Sequence, residues 1–273
     1  MHFSFYKYHG TGNDFILIDN RSGNFQPPDN NRQAFIAHLC HRQLGIGADG
    51  LILLSQSQAA DFRMTYFNSD GREGSLCGNG SRCLAAFAYQ SGFVTDKHMT
   101  FEAADGRHKA TILSQTGSLF QVKVELLPVS PPEKTEEDRY FVNTGSPHLV
   151  VFVDDLNNLD VVSEGRRLRH TPPWKNEGVN INFVSTETRN QLSVRTYERG
   201  VENETLSCGT GVTAAAIAAW VKDPGETSTH YHITTKGGLL EVSFSPAKKN
   251  QPHFANIYLT GPAQFVYKGE MVY

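Results

Sequence analysis

The chain has 273 residues, 39% hydrophobic and 19% charged, enough for one large domain or two of ordinary size around a proper core. Lys and Arg number 25 against 28 Asp and Glu, a formal net charge of −3, which gives no electrostatic reason to expect nucleic acid or an anionic membrane as partner. Residues 1–10 lack the apolar core of a signal peptide, no run approaches the roughly 18 apolar residues of a membrane span, and four cysteines without zinc spacing point to a cytoplasmic protein with free thiols and no metal.

In chain order, Gly10-Thr11-Gly12-Asn13-Asp14 introduces Phe15–Ile18, which reads as the first strand. Its two glycines imply a sharp turn or a close approach. The Lys-Ser/Thr of a phosphate loop is missing, and no third glycine completes a dinucleotide fingerprint. Asp29 is placed to cap a helix from about Asn30 to Gln43. On that helix Phe35, Ile36, Leu39 and Cys40 share one face, so Cys40 reads as a core thiol and His38 and His41 as surface residues. Gly45–Gly50 leads into a strand at Leu51–Leu54; Phe62–Phe67 alternates like a half-buried strand, and Asn68-Ser69-Asp70-Gly71 is a turn.

Cys77 then stands between a loop and an Ala/Leu-rich run that favours helix, with Gly78 and Gly80 just beyond it. A thiol there sits at the positive end of a helix dipole, where a thiolate is stabilised. Cys83 falls inside the helix and reads as structural. Strands follow near Met99–Ala103, Lys109–Leu113 and Phe120–Leu126. The polar, proline-broken stretch Pro128–Arg139 is the predicted linker.

Beyond it the order of events begins again. Asn143–His148 leads into a strand at Leu149–Val153, and Gly178 stands 131 positions after Gly47. Thr196, Glu204 and Cys208 keep that distance from Thr65, Glu73 and Cys77, while the opening loops differ by 133. Cys208-Gly209-Thr210-Gly211 again heads an Ala-rich run. A near-constant offset implies a domain-sized internal duplication into two similar α/β halves: residues 1–127 with Cys77, and 128–260 with Cys208. The last predicted strands, Ile257–Leu259 and Phe265–Tyr267, have no partner in this scheme, and residues 261–273 are expected to complete the first half.

If both cysteine-led helix N-termini face a cleft between the halves, two thiols flank one bound molecule. An acid on one face and a base on the other is the requirement for inversion at a tetrahedral carbon. Backbone N–H groups at Gly78, Asn79, Gly209 and Thr210 would receive a carboxylate and steady the carbanion. Amino-acid racemisation or epimerisation follows as the expected activity. Neither a Schiff-base lysine nor a phosphate cradle for pyridoxal phosphate is recognisable, so no cofactor is expected. Racemisation of another amino acid such as proline, or non-catalytic amino-acid binding, are the alternatives.

Five signatures in order carry a family resemblance: His9-Gly10-Thr11-Gly12-Asn13-Asp14-Phe15, Gly45–Gly50, Phe67–Gly71, Cys77-Gly78-Asn79-Gly80-Ser81-Arg82-Cys83, and Tyr197-Glu198-Arg199-Gly200 followed by Cys208–Gly211. With these the chain resembles the diaminopimelate epimerases, cofactor-independent enzymes that interconvert LL- and meso-2,6-diaminopimelate on the route to lysine and peptidoglycan. The resemblance implies an α/β (α+β) fold of two pseudo-symmetric halves, each a mostly antiparallel or mixed curved sheet around a central helix, with the active site in the interdomain cleft. It implies Cys77 and Cys208 as the acid/base pair and a small diamino diacid as substrate. Asn13, Asn68, Asn180, Glu198 and Arg199 would hold the distal amino-acid group, and His148, with Glu198, would tune the thiols. A homodimer is implied as well. Ser146 and Gly50 depart from residues common in the family, and both bear on distal recognition.

Overall fold

Alternation of apolar and polar residues starts before Phe15. Phe3, Phe5 and Tyr8 are buried on β1 (His2–Gly10), ahead of β2 (Asn13–Asp19). β1 is not among the predicted strands because Lys7 interrupts the apolar pattern on its buried side. There the ammonium meets Asp14 at 2.7 Å and donates to the Gly47 carbonyl, so the buried charge is paired. Burial alone would raise the Asp14 carboxyl, but hydrogen bonds from Arg42 and Lys7 outweigh it and hold the group well below the usual range.

The computed structural model describes residues 1–27, 31–136, 138–223, 225–248, 250 and 252–272. The chain divides into two compact units, Met1–Val124 with Gly261–Tyr273, and Glu125–Thr260. In the first, β1 and β2 are followed by α1 (Arg32–Cys40), β3 (Gly50–Ser55), β4 (Phe62–Asn68), α2 (Gly78–Gln90), β5 (His98–Ala103), β6 (Gly106–Thr116) and β7 (Leu119–Leu126). Neighbours in the sheet follow chain order. β2–β3 and β4–β5 are parallel and the other pairs antiparallel; each parallel step contains a helix, as a crossover requires. The last strand, β16 (Ala255–Val272), lies beside β7 and pairs antiparallel with β1, which closes the ring.

α2 runs through this ring against β1, β2, β3, β4 and β6, and every residue from Gly78 to Ala88 is buried. Ala85, Ala86 and Ala88 fit where strands pack closest on the helix, while Arg82, Leu84 and Phe87 bury larger side chains between them. α1 lies on the outer face, where Phe35, Ile36, Leu39 and Cys40 pack on Phe3, Phe5, Ile16, Ile18, Leu51 and Leu53. It is shorter than predicted. His41 turns extended, and Gly45–Gly47 fold back to bond the His41 and Leu39 carbonyls. A Cβ on Gly45 would fall 2.0 Å from the His38 carbonyl oxygen, so this fold-back needs glycine. The predicted cap Asp29, with Asn30, lies outside the described residues.

The second unit repeats the plan. After β8 (Glu133–Glu136) come β9 (Arg139–Asn143), β10 (Pro147–Phe152), α3 (Val161–Arg169), β11 (Asn180–Thr188), β12 (Gln191–Glu198), β13 (Asn203–Thr205), α4 (Gly209–Lys222), β14 (His230–Thr235) and β15 (Gly238–Ser245). The sheet order β9-β10-β11-β12-β14-β15-β16 matches β1 to β7 strand for strand, including the parallel pairs β10–β11 and β12–β14. α3 takes the place of α1, with Val161 and Leu168 on Leu149, Ile181, Phe183 and Tyr197. α4 takes the place of α2 and is buried from Gly209 to Ala218.

Two expectations need correction. The proline-broken stretch is no free linker: Val129 bridges Phe254 and β8 pairs with β9. Prolines at 128, 131 and 132 stop short of β8, whose exposed, charged residues suit an edge strand. The two closing strands are one, β16, in which Gly261, Pro262 and Ala263 continue the extended chain.

Candidate functional site

In the first unit Cys77 is the N-cap of α2, extended at φ −110° and ψ 112°, and its sulfur accepts from Gly80 N at 3.4 Å. A Cβ on Gly80 would press to 2.7 Å from Ile52 Cδ1, so glycine there lets the first helical turn lie against β3 without displacing the isoleucine tip. The half-buried thiol also lies 3.8 Å from Asn13 Oδ1. Asn13 is oriented by its other end, which donates to Asp49 Oδ2 at 2.7 Å; Asn79 Nδ2 donates to the same Oδ1 at 3.3 Å.

The β1–β2 turn is Thr11-Gly12, both at positive φ (50° and 83°), the two-residue form that matches strand twist. A β-branched residue is strained there, by about 1–3 kcal/mol. Its hydroxyl offsets the strain by donating to Asn79 Oδ1 at 3.4 Å and accepting from Arg82 at 3.2 Å. Arg82 is wholly buried and also binds Asn79 Oδ1, the Gly78 carbonyl and the Pro262 carbonyl. Burial pulls its guanidinium down to about 10, opposed by the Cys83 and Cys77 sulfurs, so at neutral pH a cation sits beneath the Cys77 turn. Cys83 is fully buried, its thiol pushed up by desolvation, and Cys40 likewise to about 12. Cys40 and Cys83 are free, buried thiols.

In the second unit Cys208 caps α4 with nearly the same backbone, φ −125° and ψ 112°, and different partners. Its Sγ is 3.4 Å from Thr210 Oγ1, which is 3.0 Å from His148 Nε2. His148 Nδ1 is 3.0 Å from Asn182 Nδ2, and Asn182 Oδ1 accepts from Thr196 Oγ1 at 3.0 Å. An amide nitrogen only donates, so Nδ1 is the acceptor and Nε2 carries the proton. Nε2–H then donates to Thr210 Oγ1, which leaves the threonine hydroxyl proton available to Sγ when Cys208 is a thiolate. Burial, with repulsion from Arg199, pulls His148 down to about 3, so the ring is neutral throughout the physiological range. The Thr210 carbonyl is held by Thr144 Oγ1 at 3.0 Å. A Cβ on Gly211 would lie 2.2 Å from Asn182 Oδ1, so this chain of donors fits under α4 only because residue 211 is glycine.

Two buried helices, each capped by a cysteine at matching points of a repeated topology, can be compared with known proteins. A sequence profile of the family described as "Diaminopimelate epimerase" matches residues 5–129 and 140–266. The chain belongs to the diaminopimelate epimerase family. It is 50% identical over 265 residues to the diaminopimelate epimerase of Flavobacterium psychrophilum, covering 96% of this chain and 98% of that one. To the diaminopimelate epimerase of Chlorobaculum tepidum it is 42% identical, with 95% and 98% covered. Among solved structures, a hydroxyproline epimerase from Agrobacterium vitis superposes with a TM-score of 0.73 at 15% identity, covering 99% and 92%. A PhzF-family phenazine biosynthesis protein from Bacillus anthracis gives 0.72 at 17%, covering all of both chains. Identities this low carry the α+β fold alone.

The other residues implied by the diaminopimelate epimerase signatures are spread through each unit. Asn13 and Asn79 lie beside Cys77, and Thr210 and His148 beside Cys208. Asn68 is exposed at the end of β4, accepting from the Tyr66 hydroxyl at 3.0 Å. Gly50, a departure from the family, has its Cβ position taken by the Tyr66 ring, 2.6 Å away. Asn180 is buried with both amide ends on main chain, donating to the Pro147 carbonyl and accepting from Arg199 N. Glu198 is the half-buried last residue of β12, and Arg199 follows it, exposed and bonded to the Glu177 carbonyl. Ser146 accepts from Thr144 N through its carbonyl. Thr11, Asp49, Arg82, Thr144, Asn182 and Thr196 were not predicted. Arg82 carried a signal, being the one charged residue in a run of small and apolar ones; the rest depend on contacts remote in sequence.

Proposed function

We propose that this chain interconverts LL- and meso-2,6-diaminopimelate with two thiols, Cys77 and Cys208, one removing the α-proton and the other delivering a proton of its own to the opposite face. What carries the proposal is the repetition: each unit buries one helix and caps it with a cysteine, and the family match runs through both copies. In each direction one sulfur takes the α-proton as thiolate and the other, as thiol, returns a proton to the opposite face of the carbanion. First-turn N–H groups lie outside a helix's own ladder. Those of Gly78, Asn79, Gly209 and Thr210 receive the α-carboxylate, and the helix dipoles favour the charge that develops on it.

Thr210, itself set by His148, donates to Cys208 and favours its thiolate; Arg82 supplies positive charge to the Cys77 side, and Glu198 contributes to thiol tuning. Asn13, Asn68, Asn180, Glu198 and Arg199 hold the distal ammonium and carboxylate, Arg199 through its planar fork. The chemistry draws only on thiols, amides and helix ends and calls for no cofactor. Among the described residues no helix is long and apolar enough to cross a membrane. Work in the cytoplasm as a homodimer, on the route to lysine and peptidoglycan, is part of the proposal and rests on family membership.

The test is exchange. Reduced protein incubated with diaminopimelate in D₂O should place deuterium at the α-carbon, and Cys77→Ser or Cys208→Ser should sharply slow epimerisation. Absence of α-deuterium with folded, reduced protein refutes the activity.

A further inference from the structure

The hairpin of β14 and β15 carries a group of side chains that the thiol chemistry does not use. Along β14, Tyr231, Ile233 and Thr235 point into the core and His230 and His232 point out. Across the hairpin Leu240 and Val242 are buried, and Glu241 stands directly opposite His232 in the register. The strand period of two therefore puts two imidazoles and one carboxylate on the same outer face. His230 Nε2 is 3.2 Å from Glu241 Oε2, and His232 Nδ1 is 3.8 Å from Oε1. The two rings lie side by side with centroids 4.8 Å apart. One ligand atom from each of the three lies within 4.8 Å of the others, a constellation not repeated among the described residues.

We infer that His230, His232 and Glu241 form a surface site for a divalent transition-metal ion of the imidazole-binding class, such as Zn²⁺. Two nitrogens and a carboxylate oxygen are a donor set that suits Zn²⁺, Ni²⁺ or Cu²⁺ and not Mg²⁺ or Ca²⁺, which take oxygen shells. A tetrahedral ion with bonds of about 2.0–2.1 Å needs its ligand atoms about 3.3 Å apart. The observed spacing reaches that by small rotations of exposed side chains. The backbone needs no change, since the inward residues and the β12 and β16 neighbours hold the hairpin. Three protein ligands leave the remaining position to water. The sequence signal is His-x-His on a strand, with the third ligand nine residues further on and brought across by the turn at Lys236-Gly237.

Thiolates are zinc ligands in general, so the test removes the two proposed catalytic thiols. The untagged full-length chain carrying Cys77→Ser and Cys208→Ser is titrated with ZnCl₂ by calorimetry, beside the same chain with His232→Gln or Glu241→Gln added. One ion per chain should bind the parent. Loss of outer-shell groups alone typically costs about 10–100-fold in metal affinity, so loss of a ligand should weaken binding at least tenfold. Co²⁺ in the same site should give ligand-field bands without a thiolate charge-transfer band. All three positions are at the surface, so circular dichroism should be unchanged, and His232→Gln in the chain with its natural cysteines should keep full epimerase activity. A parent that fails to bind zinc at millimolar concentration, or variants that bind as the parent does, would overturn the assignment. So would indifference to Glu241→Gln alone.

Discussion

The Thr210 hydroxyl offers a direct probe of the second half-site. Thr210→Val keeps shape and β-branching but removes both the acceptor for His148 Nε2–H at 3.0 Å and the donor to Cys208 Sγ at 3.4 Å. A hydrogen bond to a charged group contributes about 1.5–3 kcal/mol, and sulfur is a soft acceptor, so the low end applies. That is roughly a tenfold smaller thiolate population at fixed pH, at about 1.4 kcal/mol per decade. The stranded imidazole N–H, fully buried, should cost a further 1–3 kcal/mol or so of folding stability. The assay is the initial rate of iodoacetamide alkylation at Cys208, read by peptide mass spectrometry, with Cys77 in the other unit as internal control. Alkylation at Cys208 should slow about tenfold and epimerisation with it, Cys77 should be unaffected, and Thr210→Ser should restore both rates. An unchanged Cys208 rate in folded Thr210→Val protein would show that the hydroxyl does not support the thiolate.

Other outcomes follow from the same geometry. His148 is held near 3 against an ordinary 6.5, so the unfolded chain binds a proton that the folded chain refuses. Its contribution is complete above pH 6.5 and is lost as pH falls toward 3, by up to about 1.4 kcal/mol per pH unit; His148→Gln should flatten urea midpoints over that window, and an unaltered slope would contradict the burial. Gly211→Ala should gain about 1 kcal/mol from helix propensity yet destabilise overall by roughly 1–3 kcal/mol as Asn182 is displaced from its buried partners. A urea midpoint at or above the parent's would disprove that packing. Arg199→Ala should raise KM for diaminopimelate about tenfold or more, the worth of one charge-assisted bond, and Asn68→Ala by less; KM values equal to the parent's would remove both from distal recognition.

The helices bearing the cysteines were legible because two physical signals coincide at each: a glycine-rich entry and an Ala-rich run of high helix propensity. The repeat was legible because five landmarks keep nearly one spacing. β1 was hidden by Lys7, whose burial makes sense only once Asp14 and the Gly47 carbonyl are beside it. β8 was hidden by prolines that end before it starts. The partners of the two sulfurs were least visible: Asn182 and Thr196 lie on neighbouring strands, and nothing local marks either as the far end of a chain reaching Thr210. Gly50 departs from the family, and the Tyr66 ring takes up the space its side chain would need.

β16 has a consequence for how the molecule is made. Its residues from Gly261 onward belong to the unit that begins at Met1, and they pair with β1 through Phe265–Val272. During synthesis the second unit, continuous from Glu125 to Thr260, has all its strands before the first has its closing one. Until then β1 and β7 present open edges, the kind of surface that recruits other chains. The half synthesised first is thus the half completed last, and removing a dozen residues from the far end should harm the Cys77 unit before the Cys208 unit.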